Sequence, residues 1–292
     1  MSPVQTALKG LVADLHERGR LRVWSLVITF FGDAVAPRGG RVALAVLQDV
    51  MGRLGVEAGA LRTALSRLAA DQWVMRERAG RNSLYALDGH GRHAFDQATR
   101  LIYAPGPPDW DGTLTAVVAP PGIEAREAGR ALEALGFAPT GPASWLRPET
   151  AQSADAGGAL AGLLVLSERP AVVPPGLADL WDLAPTAAAY AAFRDAMAPL
   201  LASLEASEPA CLLDAAAART LLVHDWRRIV LHDPGLPAEL LPPAWPGDAA
   251  RDVARRIYGH LSRPSEAWLD RAGLPPLVDS AAFASRFGLA DA

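Results

Sequence analysis

Apolar residues recur at spacings of three and four directly after Gly55, which predicts a helix with one buried face that begins near Val56. The apolar positions are Leu61, Ala64, Leu65 and Leu68. The same period turns a second, polar set of residues outward. This set is Gly59, Arg62, Thr63, Ser66 and Arg67. The segment therefore predicts a helix that packs on one side and presents hydroxyl and guanidinium groups on the other.

A hairpin pattern follows this helix. Two short runs, residues 73–79 and 84–87, flank the turn sequence Gly80-Arg81-Asn82-Ser83, which predicts two antiparallel strands. The hairpin residues that suit DNA contacts are Arg76, Arg78, Arg81, Asn82 and Ser83. A helix that carries arginine beside an arginine-tipped β-ribbon is typical of a winged helix-turn-helix, whose helix lies in a DNA major groove. We therefore predict that the helix reads bases and that the ribbon holds phosphates or enters a minor groove.

Three more predicted helices surround this module. The first runs from Leu21 to Asp33 and is broken at 36–40, because proline and paired glycines disfavour its continuation. The second spans residues 41–54, and a connecting helix spans residues 88–104 before the prolines of 105–108. Arg38 and Arg41 lie at the start of the second helix. They suit phosphate contacts, or, for one of the two, a cap or an ion pair within the domain.

A different pattern begins after these prolines. Predicted strands at 113–119, 144–147, 159–166 and 177–183, with a helix at 124–135, follow the order of a ferredoxin-like domain. The remainder is helical, with helices at 187–204, 209–231, 248–261 and 264–272 and a tail from Leu274. The predicted fold class is α+β. The predicted domains are a winged helix with its connecting helix (1–104), a ferredoxin-like domain (109–185) and a mostly helical effector-binding and dimerisation domain (186–292).

Composition and charge narrow the class of protein. Half of the 292 residues are apolar, which indicates folded domains with little disorder. Residues 1–100 carry 14 Lys or Arg against 9 Asp or Glu, whereas the rest of the chain is acidic, so the basic part coincides with the predicted DNA reader. The single cysteine, Cys211, excludes an intrachain disulfide. The apolar run 23–31 is too short to span a bilayer, and we expect a cytoplasmic protein without membrane contact.

Several short motifs occur in a specific order along the chain. In the N-terminal part these are Phe31-Gly32-Asp33, Pro37-Arg38-Gly39-Gly40, the segment 62–68, and a wing with Gly80-Arg81, Ser83, Tyr85 and Leu87. In the C-terminal part they are the segments 224–228 and 233–237, and Leu240-Leu241-Pro242 with Trp245-Pro246-Gly247. Over nearly the whole chain this order resembles the PaaX family, transcriptional repressors of phenylacetate catabolism. The resemblance implies a winged helix, a ferredoxin-like middle domain and a helical C-terminal domain.

The resemblance also implies partners. The family is similar to dimeric repressors that bind a palindromic operator in double-stranded DNA and leave it when phenylacetyl-CoA binds; related aryl-CoA thioesters remain open as effectors. An acyl-CoA needs cations for its phosphates and an apolar pocket for its acyl end, and His224, Trp226, Arg227 and Arg228 supply both. The two arginines suit a second role equally well, a structural ion-pair network with Asp225.

The sequence does not predict catalytic chemistry. It has no Gly-x-Ser-x-Gly elbow, phosphate-binding loop or dinucleotide fingerprint, so we expect neither an enzyme nor a cofactor. Asp88, His90 and His93 resemble a metal cluster, but no further ligand is nearby in sequence, and we predict solvent-facing histidines and no metal site. Two alternatives stay open. One is a metal-dependent nuclease that uses the ferredoxin-like domain, with Asp109 and Asp111 before its first strand, and the other is a winged-helix scaffold that binds only proteins.

Overall fold

The chain folds into two compact units. The computed structural model describes residues 2–17, 19, 21–79, 82–209 and 211–291. The larger unit contains residues 1–105, 190–231 and 247–292, and the smaller unit contains residues 106–189 and 232–246. Helices combine with two antiparallel sheets, which confirms the predicted α+β class. Most of the C-terminal helical segment belongs to the same unit as the N-terminal residues. The division of the chain into three independent domains remains a prediction.

The helices and strands are numbered in chain order. The α-helices are α1 (Pro3–Glu17), α2 (Val23–Phe30), α3 (Leu44–Arg53), α4 (Ala58–Ala70), α5 (Gly89–Ile102), α6 (Ala125–Glu133), α7 (Ala184–Ala206), α8 (Leu212–Val230), α9 (Gly247–Arg271) and α10 (Ser280–Ala284). The strands are β1 (Arg41–Ala43), β2 (Val74–Ala79), β3 (Asn82–Leu87), β4 (Trp110–Val118), β5 (Ala138–Gly141), β6 (Ser144–Thr150) and β7 (Leu164–Glu168). Across the described ranges, no helix has the length and apolar character needed to cross a membrane.

The N-terminal part of the larger unit combines α2, α3 and α4 with an antiparallel sheet of order β1-β3-β2. The predicted helix over 41–54 is wrong at its start, because Arg41–Ala43 form β1 and pair with β3, with Val42 opposite Tyr85. Val42 is β-branched and therefore suits a strand. Strand β1 pairs with β3 on the side away from β2. The helix proper begins at Leu44.

The end of α2 is irregular. The helix passes into a π-helical turn at Phe31–Val35 and a 3-10 turn at Ala36–Arg38, and the chain turns at Gly39 and Gly40, which have φ angles of 90° and 79°. Glycine adopts this left-handed region without a steric penalty, so the predicted break at these residues is confirmed. The π-helical turn includes Asp33, which is buried.

The C-terminal helices complete the core of the larger unit. Helix α8 is buried along most of its length and packs against α9, α2 and α3. Helix α9 continues through Pro264 to Arg271, so the predicted separate helix over 264–272 is wrong. The predicted tail from Leu274 is also wrong, because it contains α10 and Phe287, which is 2% exposed and packs against Tyr103 and Tyr258. Contacts between aromatic side chains hold this segment in place. Such contacts produce no periodic pattern of apolar residues, so the sequence did not predict them.

The smaller unit is built on an antiparallel sheet of order β5-β6-β4-β7. One face packs against α6 through Val117, Leu132 and Trp145, while Ala138 on the other face packs against Trp181. The predicted strand over 177–183 is wrong, since Leu177–Leu180 form a 3-10 turn. The fourth strand is instead β5, which the sequence pattern did not predict, because Pro139 and Gly141 are poor strand formers.

Candidate nucleic-acid interface

Helix α4 separates its two faces as the sequence predicted. Leu61, Ala64, Leu65 and Leu68 are all buried, which confirms the predicted core face. On the opposite face, Gly59, Arg62, Thr63, Ser66 and Arg67 are all exposed. No atom lies within 4 Å of the position that a side chain at Gly59 would occupy. The face is therefore open along its whole length, although its contact with DNA stays a prediction.

The polar side chains of α4 differ in whether they already have a hydrogen-bonding or ionic partner within the chain. The Thr63 hydroxyl donates to the Gly59 carbonyl at 3.1 Å, and Arg67 lies 3.7 Å from the carboxylate of Asp71 one turn later. Arg62 has neither an ion pair nor a hydrogen bond within the described residues. Its exposed guanidinium group keeps all five N–H donors available for a bidentate contact, such as that with the edge of a guanine.

The turn between α3 and α4 fixes the direction of α4. Gly55 has a φ angle of 77°, and a Cβ atom there would lie 2.7 Å from Nε2 of His16, which itself lies 3.0 Å from the Leu54 carbonyl oxygen. A side chain at this position would meet both a backbone penalty and the ring of His16. Helix α4 begins at Ala58, and its N-cap residue Glu57 makes no side-chain cap.

The ribbon of β2 and β3 presents two exposed arginines on one face. Arg76 and Arg78 are two residues apart, so they share a side of the strand, and Arg76 donates to the Ser83 hydroxyl at 2.9 Å. Arg78 forms no hydrogen bond or ion pair within the described part of the chain. On the other side of the strand, Glu77 pairs with Arg41 at 3.3 Å. Arg41 is exposed, but this carboxylate partly neutralises it.

Not every residue of the predicted DNA set is open to a ligand. Arg38 is 2% exposed, and its guanidinium group donates to Glu266, to Asp270 and to the carbonyl of Pro275. The predicted phosphate contact of Arg38 is therefore corrected to an internal ion pair, the alternative that the sequence left open for one of the two arginines. Arg81 lies outside the described residues, as does the side chain of Asn82.

A buried charge cluster lies between the N-terminal and C-terminal parts of the larger unit. Asp33 accepts from Arg219 at 2.8 Å, from Arg286 at 3.1 Å and from the hydroxyls of Tyr103 and Tyr258 at 2.7 and 3.0 Å. Arg219 also donates to Glu266, the carboxylate that Arg38 contacts. All members are buried except Glu266, which is partly exposed. The cluster joins the end of α2 to α5, α8, α9 and the C-terminal segment.

The electrostatics of this cluster are internally balanced. Burial raises the pKa of Asp33, whereas the charges of Arg219 and Arg286 and the hydrogen bonds from the two tyrosine hydroxyls lower it. The lowering effects together are larger, so the pKa lies below the ordinary value of 3.8. Burial also raises the pKa of Tyr103 well above 10.0, so its hydroxyl remains a donor. Asp33 is thus a buried carboxylate that stays ionised because two guanidinium groups and two hydroxyls surround it.

Sequence reasoning did not find this cluster. Asp33, Arg219 and Arg286 are not among the candidate residues, and for Arg38 the sequence leaves both a phosphate contact and an internal ion pair open. One feature of the sequence does point to such a cluster, namely that Asp33 lies within a helix predicted to be buried. A buried carboxylate requires a buried cationic partner. The partner residues lie 186 and 253 positions away, a separation that local patterns cannot bridge.

The predicted effector residues lie inside or at the edge of the same core. His224 is buried, with Nδ1 at 3.2 Å from the Thr29 hydroxyl, and buried Trp226 donates to the Ile102 carbonyl at 2.8 Å. Arg227 donates to Ser25, and burial together with the charge of Arg228 lowers its pKa. Only Arg228 is exposed. His224 and Trp226 therefore pack the interior, and we remove them from the candidate effector site.

The metal-like motif does not assemble. His90 and His93 are exposed, while the Asp88 side chain caps the first turn of α5. Across the described ranges, no three His, Cys, Asp or Glu side chains are grouped as a metal site requires. Cys211 is a free, half-buried thiol.

Comparisons with known proteins are consistent with this arrangement. Residues 22–91 match the family model described as PaaX-like protein, and residues 181–271 match that of the PaaX-like protein C-terminal domain. The transcriptional repressor PaaX of Escherichia coli (strain K12) is 29% identical over 264 residues, which cover 85% of this chain and 83% of the relative. The solved structure of the uncharacterized protein Rv0674 from Mycobacterium tuberculosis has a similar fold, with a TM-score of 0.52 and 22% identity over 77% of this chain and 91% of that one.

The two family matches contain the features described above. The first includes α4, the ribbon and Asp33, and the second includes Arg219 and Glu266, so each side of the buried charge cluster lies within a matched region. Together the two matches cover more than half of the chain. The chain is therefore a member of the PaaX family.

Proposed function

We propose that this chain is a transcriptional repressor of an aromatic, phenylacetate-type catabolic operon. In this proposal α3, α4 and the ribbon form a winged helix-turn-helix, a homodimer binds a palindromic operator, and an aryl-CoA thioester releases it, with phenylacetyl-CoA as the first candidate. The name of the Escherichia coli relative supports the repressor function. The single observation that carries the proposal is the open face of α4, on which Arg62 has no partner among the described residues.

The proposal is tested by a mobility-shift titration. DNA from upstream of the gene and its neighbours is titrated at fixed salt, with and without phenylacetyl-CoA and with free phenylacetate as the control. We expect a shifted band that the thioester alone releases. Binding that ignores the thioester would remove the effector from the proposal and keep the DNA-binding half. Absence of any shift would contradict the winged-helix assignment itself.

The ribbon gives a prediction about phosphate contacts. Arg78→Ala is expected to weaken binding to operator and to random DNA about equally, because a phosphate contact carries no sequence information. The log-log dependence of affinity on salt should become shallower by about 0.9, the contribution of one phosphate. Fluorescence anisotropy at several salt concentrations measures both effects. Arg78→Lys, the matched control, retains the charge and should retain the slope; a changed operator preference with an unchanged slope would contradict the assignment.

The dimer proposal is supported by an apolar sheet face. Val118 lies opposite Leu164 in the ladder of β4 and β7, and Leu166 follows two residues later, so all three side chains share one face. Leu164 and Leu166 are each 55% exposed. Strand β7 is also an edge strand, with backbone groups available for a further pairing. A second copy of the chain suits this face, because two identical half-sites on DNA require two identical readers.

A charge on this face tests the dimer. Leu166→Lys is expected to convert the protein from dimer to monomer at micromolar concentration, with little change in its unfolding midpoint because the side chain is exposed. Sedimentation velocity and thermal unfolding measure the two properties. Val172→Lys is the control, since Val172 is 76% exposed but lies beyond the end of β7. A dimer that survives Leu166→Lys would exclude this face as the contact.

The two alternative functions have less support. Membership of a family whose curated relative is a transcriptional repressor makes the chain a regulator and not an enzyme. The Asp111 carboxylate, proposed for a nuclease, accepts from Arg169 at 2.8 Å and from the Thr113 backbone, and these bonds lower its pKa. We infer a ferredoxin-like fold for the smaller unit from its strand order, without nuclease chemistry. A scaffold that binds only proteins would show no steep salt dependence of DNA binding.

A further inference from the structure

A cleft of about 440 Å³ lies in the smaller unit, between α6 and the hairpin of β5 and β6. Its size is within the range of small-molecule sites in proteins. Arg126, Arg130 and Glu133 line it from α6, and Trp145 lines it from β6. None of its residues belongs to the DNA set or to the effector set predicted from the sequence.

Two cations in the cleft form no ion pair with a described residue. Arg126 and Arg130 are exposed and four residues apart, so they lie one above the other on α6. Neither side chain forms an ion pair or a hydrogen bond with any described residue. Like charges at this spacing destabilise a helix, and an anion held between them removes that penalty.

The floor of the cleft holds a donor that has no acceptor among the described residues. Trp145 is 4% exposed, yet its indole N–H makes no hydrogen bond within the described chain. The indole N–H groups of Trp110, Trp181 and Trp226 each donate to a backbone carbonyl. The Trp145 N–H is not among the buried unpartnered atoms of the described chain, so it opens into the cleft that the residue lines. A ligand in the cleft can accept from it, as the backbone carbonyls do from the other three indoles.

Gly129 explains how this donor reaches the cleft. A Cβ atom at Gly129 would lie 3.1 Å from Cζ2 and 3.3 Å from Nε1 of Trp145, which is tighter than ordinary contact. Glycine inside a helix is destabilising relative to alanine, so its position here is best explained by the close approach of the indole edge. The absence of a side chain keeps the N–H group uncovered between the two arginines.

We propose that this cleft binds the phosphate groups of a nucleotide-sized organic phosphate and, resting on the function proposed above, that it is the effector site for the phosphates of a CoA thioester. Arg126 and Arg130 donate charge-assisted hydrogen bonds to phosphate oxygens, and Trp145 donates one neutral hydrogen bond from below. The Glu133 carboxylate accepts from a ligand hydroxyl or amino group. This acceptor favours an organic phosphate over a bare inorganic anion.

Direct binding tests the site on the full-length chain. Isothermal titration with coenzyme A and, separately, with inorganic pyrophosphate is compared for the wild type, the double variant Arg126→Ala/Arg130→Ala, and Arg169→Ala as an exposed arginine control in the same unit. We expect the double variant to lose at least tenfold in affinity for coenzyme A and the control to match the wild type. Trp145→Phe, which keeps the ring and removes only the N–H, should lose severalfold.

The alternative outcomes are distinct. Equal affinity of the wild type and the double variant for coenzyme A, or no binding by the wild type, would overturn the site. Pyrophosphate that binds as tightly as coenzyme A would assign the cleft to free phosphate and overturn its effector role. The mobility-shift assay separates the two proposals: if phenylacetyl-CoA releases the double variant as readily as the wild type, the cleft proposal fails and the repressor proposal stands. If the wild type does not bind DNA, the repressor proposal fails whatever the cleft binds.

Discussion

Replacing Asp33 by asparagine is expected to lower the free energy of unfolding of the larger unit by about 3–5 kcal/mol. The substitution keeps the shape of the side chain but leaves the guanidinium group of Arg286 buried without a carboxylate, and Arg219 retains only Glu266. An unpaired buried charge is costly because the interior cannot replace its hydration. Urea unfolding followed by tryptophan fluorescence measures the change.

The same variant gives a pH dependence with a defined sign. The pKa of Asp33 is lower in the folded protein than the ordinary value of 3.8, so its contribution to stability is fully present above that pH. The contribution is lost as the pH falls through the folded-state pKa. The difference in unfolding free energy between wild type and Asp33→Asn should therefore be constant near neutral pH and decrease below pH 3.8.

A surface carboxylate provides the control for this prediction. Asp252 on α9 pairs with Arg255 at 2.8 Å, but its side chain is 47% exposed. Asp252→Asn should cost less than about 1 kcal/mol, because solvent screens an exposed ion pair. If Asp33→Asn changed the stability by no more than this control does, the buried cluster would not be a source of stability.

Arg62→Ala is expected to reduce the preference for operator over random DNA by roughly 1–3 kcal/mol, or about five- to 150-fold. Arg62 is exposed in the first half of α4, and no described residue neutralises it. In the proposed winged helix, this part of the helix approaches base edges. Affinity for random DNA should fall much less, because a base contact carries most of its energy at the specific site. Competition binding with operator and scrambled duplexes measures the ratio.

Two controls distinguish base reading from general charge. Arg194→Ala removes an exposed arginine of α7 that pairs with Asp195, and it should leave the operator preference unchanged. Arg67→Ala removes a second arginine of the same face, already paired with Asp71, and should have a smaller effect than Arg62→Ala. An unchanged preference in Arg62→Ala would show that this residue does not read the operator.

Local sequence pattern predicted helix α4 and the ribbon of β2 and β3 well. The buried face of α4 and the ribbon follow from periods of three to four and of two, which depend only on nearby residues. The predicted strand at Leu177 and the tail from Leu274 were wrong, because their structures depend on distant partners. The sheet of the smaller unit includes Pro139 and Gly141, whose low strand propensity is overridden by pairing with β6.

The site residues divide in the same way. The exposure of the polar face of α4 could be predicted, because an amphipathic helix buries only its apolar face. Arg38, His224 and Trp226 could not be placed, since a polar or aromatic side chain suits either a ligand or a buried partner. Only the fold brings Glu266 to Arg38 and the Ile102 carbonyl to Trp226. The sequence likewise did not predict the cleft at Trp145, because its hydrogen-bond donors come from two separate elements, α6 and β6.

The contact between Asp33 and Arg286 has a consequence for the timing of synthesis. The two residues are 253 positions apart, and at about 5–20 residues per second a ribosome needs roughly 13–50 seconds to add the second after the first. During that interval the N-terminal helices lack the cation and the Phe287 ring that complete their core. A nascent chain therefore has an incomplete core around Asp33 until synthesis passes Phe287, and α2 reaches its final stability only then.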